Sequence, residues 1–199
     1  MVPETKLQTF ANLAVHIRNL EHPTIVAIDG RAGSGKTTFA NKLAAALQAP
    51  VVHTDDISWF HSFFDWWQLA VNHVLEPFRA GESIDWIPEA YKARGRKGSI
   101  LVPRAPILIF EGVSASRLEL SHLIDIPIWI ETPINIAEQR TLERDGLDEL
   151  EFQLEWQAEE KPLLAKDQPW TRAKLIVDGK PTLEHDPNTE FVSIVDALA

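Results

Sequence analysis

The chain has 199 residues, 45% hydrophobic and 24% charged, which suits one folded domain with a substantial core. Its 29 acidic against 19 basic residues give a net charge of -10, the wrong sign for non-specific nucleic-acid binding, which depends on Lys and Arg neutralising phosphates. The absence of cysteine excludes disulfides and Cys-ligated zinc.

Leu7, Phe10, Ala14, Ile17 and Leu20 recur every three or four residues and predict an amphipathic N-terminal helix over about residues 3–20. The stretch MVPETKLQTF lacks the basic-then-apolar order of a secretory signal. No apolar run approaches the roughly 20 residues that span a bilayer. The expected location is therefore the cytoplasm, with neither membrane nor nucleic acid as partner. Thr24-Ile25-Val26-Ala27-Ile28 is a continuous β-branched run, the pattern of a strand buried on both faces, and it stops at Asp29-Gly30. Phe39, Ala40, Leu43, Ala44 and Leu47 line one face of the next helix, which Pro50 closes. Residues 51–54 read as a second strand, ending at Asp55-Asp56.

Residues 58–80 carry Trp59, Phe60, Phe63, Phe64, Trp66 and Trp67 and are predicted helical. Residues 81–106 change character, with Gly81, Pro88, Gly95, Gly98, Pro103 and Pro106 around the basic cluster Lys92, Arg94, Arg96 and Lys97. This predicts a long irregular excursion with a short hairpin, of the kind that is functional or mobile. Residues 107–110 form a third buried strand ending at Glu111-Gly112, and residues 126–130 a fourth ending at Glu131-Thr132. Pro127 weighs against the start of that strand. Residues 134–165 read as helical with a break near Gly146, and residues 175–177 as a fifth strand stopped by Asp178-Gly179. Strands alternating with helices predict βαβ units and a mainly parallel sheet. Ligands bind outside the carboxyl ends of such strands, so Gly30, Asp55, Glu111 and Thr132 are expected to meet at one edge.

Gly30-Arg31-Ala32-Gly33-Ser34-Gly35-Lys36-Thr37 satisfies G-x-x-x-x-G-K-[ST], between an apolar strand and an amphipathic helix. Glycines let the backbone curl so that N–H groups converge on phosphate, and the helix adds its positive N-terminal end. The cradle runs from Gly30 to Thr38. Lys36 is placed to reach the β- and γ-phosphates, and the Thr37 hydroxyl to ligate Mg²⁺. A chance glycine-rich turn lacks this strand-and-helix context. The guanine motif N-K-x-D is absent, since Asn41-Lys42-Leu43-Ala44 ends in Ala and lies inside the loop's own helix. ATP is the expected nucleotide.

The other polar residues have two readings each. Asp55 either accepts a proton from an attacking hydroxyl or holds Mg²⁺, or it caps the next helix, the plainer reading for Asp56. Glu111 follows a buried run, where an unpaired charge is costly; a metal, a helix cap or a salt bridge would satisfy it. Arg140 and Arg144 share a helical face and either meet the transferred phosphoryl group or sit on a solvated surface beside Glu143 and Asp145. The aromatics of 59–67 are core residues or stack a ring of the substrate. His53 and His61 are structural or touch substrate. The basic cluster at 92–97 is a solvated loop or holds an acidic substrate. Trp156 and Trp170 are expected to pack.

Over residues 24–179 the chain resembles the uridine kinase-like branch of P-loop kinases, which includes uridine kinase, phosphoribulokinase and bacterial pantothenate kinase. The resemblance rests on the loop at 30–37, on T-D-D-I at 54–57, on F-E-G at 110–112 and on Q-R-T-L-E-R-D at 139–145, with Asp85-Trp86 as a weaker echo. It implies a three-layer α/β fold with five strands ordered 2-3-1-4-5, and one kinase domain with a small lid over about 134–150. It also implies ATP with Mg²⁺, Glu111 in the metal shell, and a small hydroxyl acceptor, first of all a nucleoside such as uridine. The lid departs from nucleoside kinases in having no arginine between Arg144 and Arg172. A nucleoside monophosphate, pantothenate or a sugar phosphate is the alternative acceptor, and a non-enzymatic ATP-binding protein the alternative class.

Overall fold

The computed structural model describes residues 5–21, 23–58 and 61–198. Strand β1 (Lys6–Thr9) leads into helix α1 (Phe10–Arg18), and β2 (Thr24–Gly30) into the phosphate loop and α2 (Lys36–Leu47). Then come β3 (Val51–His53) and α3 (Thr54–Ser58). A longer helical stretch follows as α4 (Trp67–Ala70), a π-helical turn (Val71–Leu75) and α5 (Glu76–Arg79). The hairpin β4 (Ile84–Trp86) and β5 (Ile100–Val102) encloses α6 (Glu89–Arg94). The chain continues through β6 (Ile107–Glu111), β7 (Ile126–Glu131), α7 (Ile134–Asp145), α8 (Leu150–Asp167), β8 (Leu175–Asp178) and β9 (Glu190–Asp196).

β2 lies mid-sheet and is buried at every position. It pairs in parallel with β6 and β7; β3 flanks β6, and β8 flanks β7. The five expected strands thus stand in the order 2-3-1-4-5. Burial on both faces explains their continuous apolar runs. Val26 and Ile28 face one core with α1 and α2, whereas Ile25 and Ala27 face the other with Val74, Phe78 and Phe110. Pro127 is accommodated near the start of β7, where its carbonyl still accepts from Lys174 N–H at 2.8 Å.

The sheet is wider than expected. β9 adds antiparallel to β8 and β1 adds antiparallel to β9, giving seven strands among the described residues. This corrects the single helix over 3–20: residues 6–9 are strand, and Met1–Glu4 lie outside the described residues. Thr9 ends the strand by accepting Asn12 N–H at 3.1 Å as the cap of α1. Phe10, Phe39 and Phe191 then pack together at centroid distances of 5.1–5.2 Å. The excursion at 81–106 is an ordered hairpin, with Trp86 stacked on His73 at 4.4 Å. The helical expectation for 58–80 holds from Trp67 onward; Trp59 and Phe60 lie outside the described residues. Gly146 separates α7 from α8, so the cover over the sheet edge runs on to Asp167. Among the described residues no helix is long and apolar enough to cross a membrane.

Candidate active site

The parallel register brings the strand ends level. Ile28 and His53 both lie opposite Glu111, and Gly30 lies opposite Ile130. A cavity of about 810 Å³ opens above this edge, floored by the phosphate loop and covered by α7 and α8. That is ample for a nucleotide or a small acceptor.

Two glycines set the floor. Gly33 has φ +74, and a Cβ there would stand 2.1 Å from the Ala137 carbonyl of α7, so the loop and α7 approach as only glycine allows. Gly112 has φ +149, and its Cβ would fall 1.7 Å from Thr54 Oγ1. This close approach brings the start of α3, and with it Asp55, against the end of β6. Thr132 Oγ1 donates to the Ser34 carbonyl at 2.9 Å and braces the loop from β7.

Lys36 is nearly buried and its Nζ donates to the Arg31 carbonyl at 3.0 Å, curling the loop over itself. Thr37 Oγ1 donates to Glu111 Oε1 at 3.1 Å. Glu111 is 4% exposed, and its other oxygen meets His53 Nδ1 at 2.6 Å. The hydrogen bond to Glu111 holds the His53 pKa above its ordinary value against the opposing effect of burial. His53 therefore anchors Glu111 and leaves the Thr37 side of the carboxylate facing the loop. A hydroxyl and a buried carboxylate are the hard oxygen donors that suit Mg²⁺, which draws on one or two carboxylates plus phosphates and water. Among the described residues no three His, Asp or Glu side chains form a protein-only metal cage.

The adjacent aspartates part company. Asp55 opens on the cavity, and the walls around it push its carboxyl upward by desolvation. Lys36 and His53 oppose that shift, while Glu111 and Asp56 add to it. Asp56 accepts from Arg96 at 2.6 Å, and Arg96 lies 4.2 Å over the Tyr91 ring. Burial and Asp56 raise the Tyr91 hydroxyl to about 12. The basic cluster is thus fixed to the fold at Arg96, and Arg94 lines the cavity.

Arg140 and Arg144 diverge. Arg144 lines the cavity and makes a bidentate pair with Asp145 at 2.6 and 2.8 Å, which raises the arginine and lowers the carboxyl. Arg140 donates to the Gly179 carbonyl at 3.1 Å, beyond the end of β8, and does not line the cavity. Arg31, Ala32 and Gly33 line it with Lys36 and Thr37, Ser34 is buried behind the loop, and Thr38 is exposed on α2. His61 lines the cavity, with Nε2 at 3.1 Å from the Asp65 carbonyl. Phe63 and Trp156 pack at 5.2 Å and Phe63 and Phe152 at 5.6 Å, all on the cavity wall. Trp170 packs on Trp129 at 5.4 Å.

Sequence reasoning passed over Asp29. It is fully buried and accepts from the N–H groups of Gly30, Ser114 and Ser116 and from Ser116 Oγ, at 2.7–2.9 Å. Burial pushes its pKa up to about 6, against those donors and Lys36. The available signal was an acid between Ile28 and Gly30 in a strand with no room for an unpaired charge. Glu160, equally unforeseen, reaches the loop from α8.

No family model matches the chain. Uridine kinases of Borrelia duttonii and Borrelia recurrentis are each 30% identical over 138 residues, 61% of this chain and 66% of theirs. Uridine-cytidine kinase A of Dictyostelium discoideum is 28% identical over 146 residues, 64% of this chain and 29% of that protein. The structure of a possible uridine kinase from Bacillus stearothermophilus superposes with a TM-score of 0.57 at 20% identity, covering 84% of this chain and 96% of that one. This is a uridine kinase-like P-loop protein. Its fold is the P-loop kinase fold, with a mostly parallel central sheet. The chain spans about two thirds of the length of the Borrelia proteins, and much less of the Dictyostelium one.

Proposed function

We propose that this protein transfers the γ-phosphate of ATP to a hydroxyl of a small uncharged acceptor, uridine or a similar nucleoside. The observation that carries the reading is the convergence of Lys36, Thr37, Glu111 and Asp55 on one cavity at the carboxyl ends of three parallel strands.

Lys36 and the loop amides hold the β- and γ-phosphates. Thr37 and Glu111 are the residues that would hold Mg²⁺, which neutralises charge on the phosphate oxygens. Asp55 stands open to the cavity and takes the proton of the acceptor hydroxyl as its oxygen attacks the γ-phosphorus. The bond from that phosphorus to the bridging oxygen breaks, and ADP leaves. Desolvation raises the Asp55 pKa, which makes it a stronger base than an ordinary aspartate. Arg144 reaches the cavity from α7 and is placed to meet charge on the transferred group.

The lining favours an uncharged acceptor over a phosphorylated or carboxylated one. More carboxylates than cations line the cavity, and Lys161 is already engaged by Glu138 at 3.0 Å. Phe63, Phe152 and Trp156 offer ring faces in the same wall. Incubation with ATP, Mg²⁺ and a panel of nucleosides, nucleoside monophosphates, pantothenate and sugar phosphates, read by mass spectrometry, tests this. A phosphorylated nucleoside is expected; phosphorylation of an anionic acceptor alone would overturn the assignment, and no product from any acceptor would point to nucleotide binding without transfer. The reading also places the protein in the cytoplasm, where ATP is supplied.

A further inference from the structure

Glu160 lies on α8 and is 4% exposed, and its Oε1 accepts the Ala32 N–H of the phosphate loop at 2.7 Å, across 128 residues of sequence. Among the described residues no lysine, arginine or histidine pairs with it; its neighbour Lys161 is taken by Glu138. Burying a carboxylate is expensive without compensating bonds, and the Ala32 N–H supplies one here. The group that Glu160 holds is a backbone amide of the loop that receives ATP.

Two further contacts make α7 and α8 one cover. The Lys161–Glu138 pair ties α8 to α7, and the buried Gln153 Nε2 reaches the Thr141 carbonyl at 3.4 Å. The α7 backbone at Ala137 sits on Gly33. The cover therefore meets the loop at two consecutive residues: Glu160 at the Ala32 amide, and Ala137 at the space left by the missing Gly33 side chain. Two residues beyond Glu160, Pro162 has no N–H to return to the preceding turn, so α8 is weakened beside its attachment point.

We infer that Glu160 is a positioning residue that seats the α7–α8 cover on the phosphate loop and thereby keeps water away from the γ-phosphate. The inference rests on the kinase reading of the cavity. The bond uses Ala32 and leaves the amides at the start of α2, Lys36 to Thr38, for phosphate, because the first N–H groups of a helix lack intrahelical partners. Glu160 acts as a hydrogen-bond acceptor, so a neutral side chain of the same length with an oxygen in the same place should serve.

The test compares Glu160→Ala with Glu160→Gln in the full chain. Two ratios are measured: ADP formed per acceptor phosphorylated, and kcat against KM for each substrate. Glu160→Ala is expected to raise ADP formed per product several-fold and to lower kcat by roughly 10–10²-fold, the scale for a misplaced reacting group, with the KM for ATP little changed. Glu160→Gln is expected to restore both. Hydrogen exchange on the nucleotide-free proteins supplies a readout independent of any acceptor: the Ala32 amide and α8 should exchange faster in Glu160→Ala and as in the parent in Glu160→Gln. Unchanged exchange and unchanged coupling in Glu160→Ala would overturn the inference, and so would a Gln variant as impaired as the Ala variant. If the parent phosphorylates nothing, the kinase reading fails, while the exchange comparison still decides whether Glu160 holds the cover to the loop.

Discussion

The sheet edge beneath the cavity and the helical pair above it hold their residues by different means. Below, Lys36, Thr37, Glu111 and Asp55 are set by strand register, by two glycine-sized contacts and by hydrogen bonds among buried groups. Above, α7 and α8 carry Arg144, Phe152 and Trp156; one partly exposed ion pair ties them to each other, and aromatic contacts and the Glu160 bond join them to the rest. The floor is part of the core, with Glu111 and Asp29 inside it, whereas Leu147, Leu150 and Leu154 of the cover face outward. Substitutions in the floor should therefore act on chemistry or on the whole fold, and substitutions in the cover on coupling and acceptor affinity.

The largest expected effect is at Asp55. Asp55→Asn should lower turnover by about 10²–10⁴-fold with ATP affinity little changed. Asp56→Asn should loosen the Arg96–Tyr91 contact and leave turnover far less affected; equal losses at both would break the distinction between them. Lys36→Ala should lower turnover by about 10²–10³-fold, the scale for removing one donor from a charged transition state, with a small change in melting temperature. A comparable loss of melting temperature would mean that Lys36 supports the floor rather than the phosphates.

Gly33→Ala probes where the two regions touch. Its new Cβ would collide with the Ala137 carbonyl, so α7 must shift, and a loss of about 1–3 kcal/mol is expected in denaturant unfolding. Asp29 tests the floor through pH. Its folded pKa of about 6 lies above the ordinary aspartate value of 3.8, so the folded state binds the proton more tightly between those values. This group's contribution is greatest below that window and declines by about 3 kcal/mol as pH rises through it. Unfolding midpoints from pH 3.5 to 7 should show that slope, and Asp29→Asn should remove it at lower overall stability. The smallest effect belongs to the cover: Phe152→Ala should cost about 0.5–1.5 kcal/mol per aromatic pair lost and raise the acceptor KM a few-fold. An unaltered KM would remove that wall from acceptor binding.

The five parallel strands were legible because burial on both faces writes an unbroken apolar run, and the phosphate loop because its chemistry needs glycine and lysine at fixed spacing. β1 was hidden by Leu7, which continues the spacing of α1 although it is 45% exposed on the strand. β9 escaped although the turn at residues 186–189 precedes it, because its strand character depends on pairing with β8. Asp55 and Asp56 look alike in sequence and are separated by Arg96, whose reach depends on the hairpin. Arg140 and Arg144 share a helical face, yet one turns to Gly179 and the other to Asp145. Glu160 sits in Glu159-Glu160-Lys161, which reads as a solvated stretch; its partner is a backbone amide, and no side-chain pattern announces that.

The pairing of β1 with β9 bears on how the molecule assembles. Lys6 lies opposite Ser193 and Thr9 opposite Glu190, so this edge joins two segments that have the whole parallel sheet between them in sequence. Closing so long a loop is entropically unfavourable until the intervening strands have docked. During synthesis, Lys6–Thr9 must wait while β2 to β8 form, and the sheet edge is completed only when Glu190–Asp196 emerges. Stopping synthesis short of β9 would leave the phosphate loop and its parallel strands in place but strand β1 without a partner, exposing the outer side of β8 to edge-to-edge pairing with other chains.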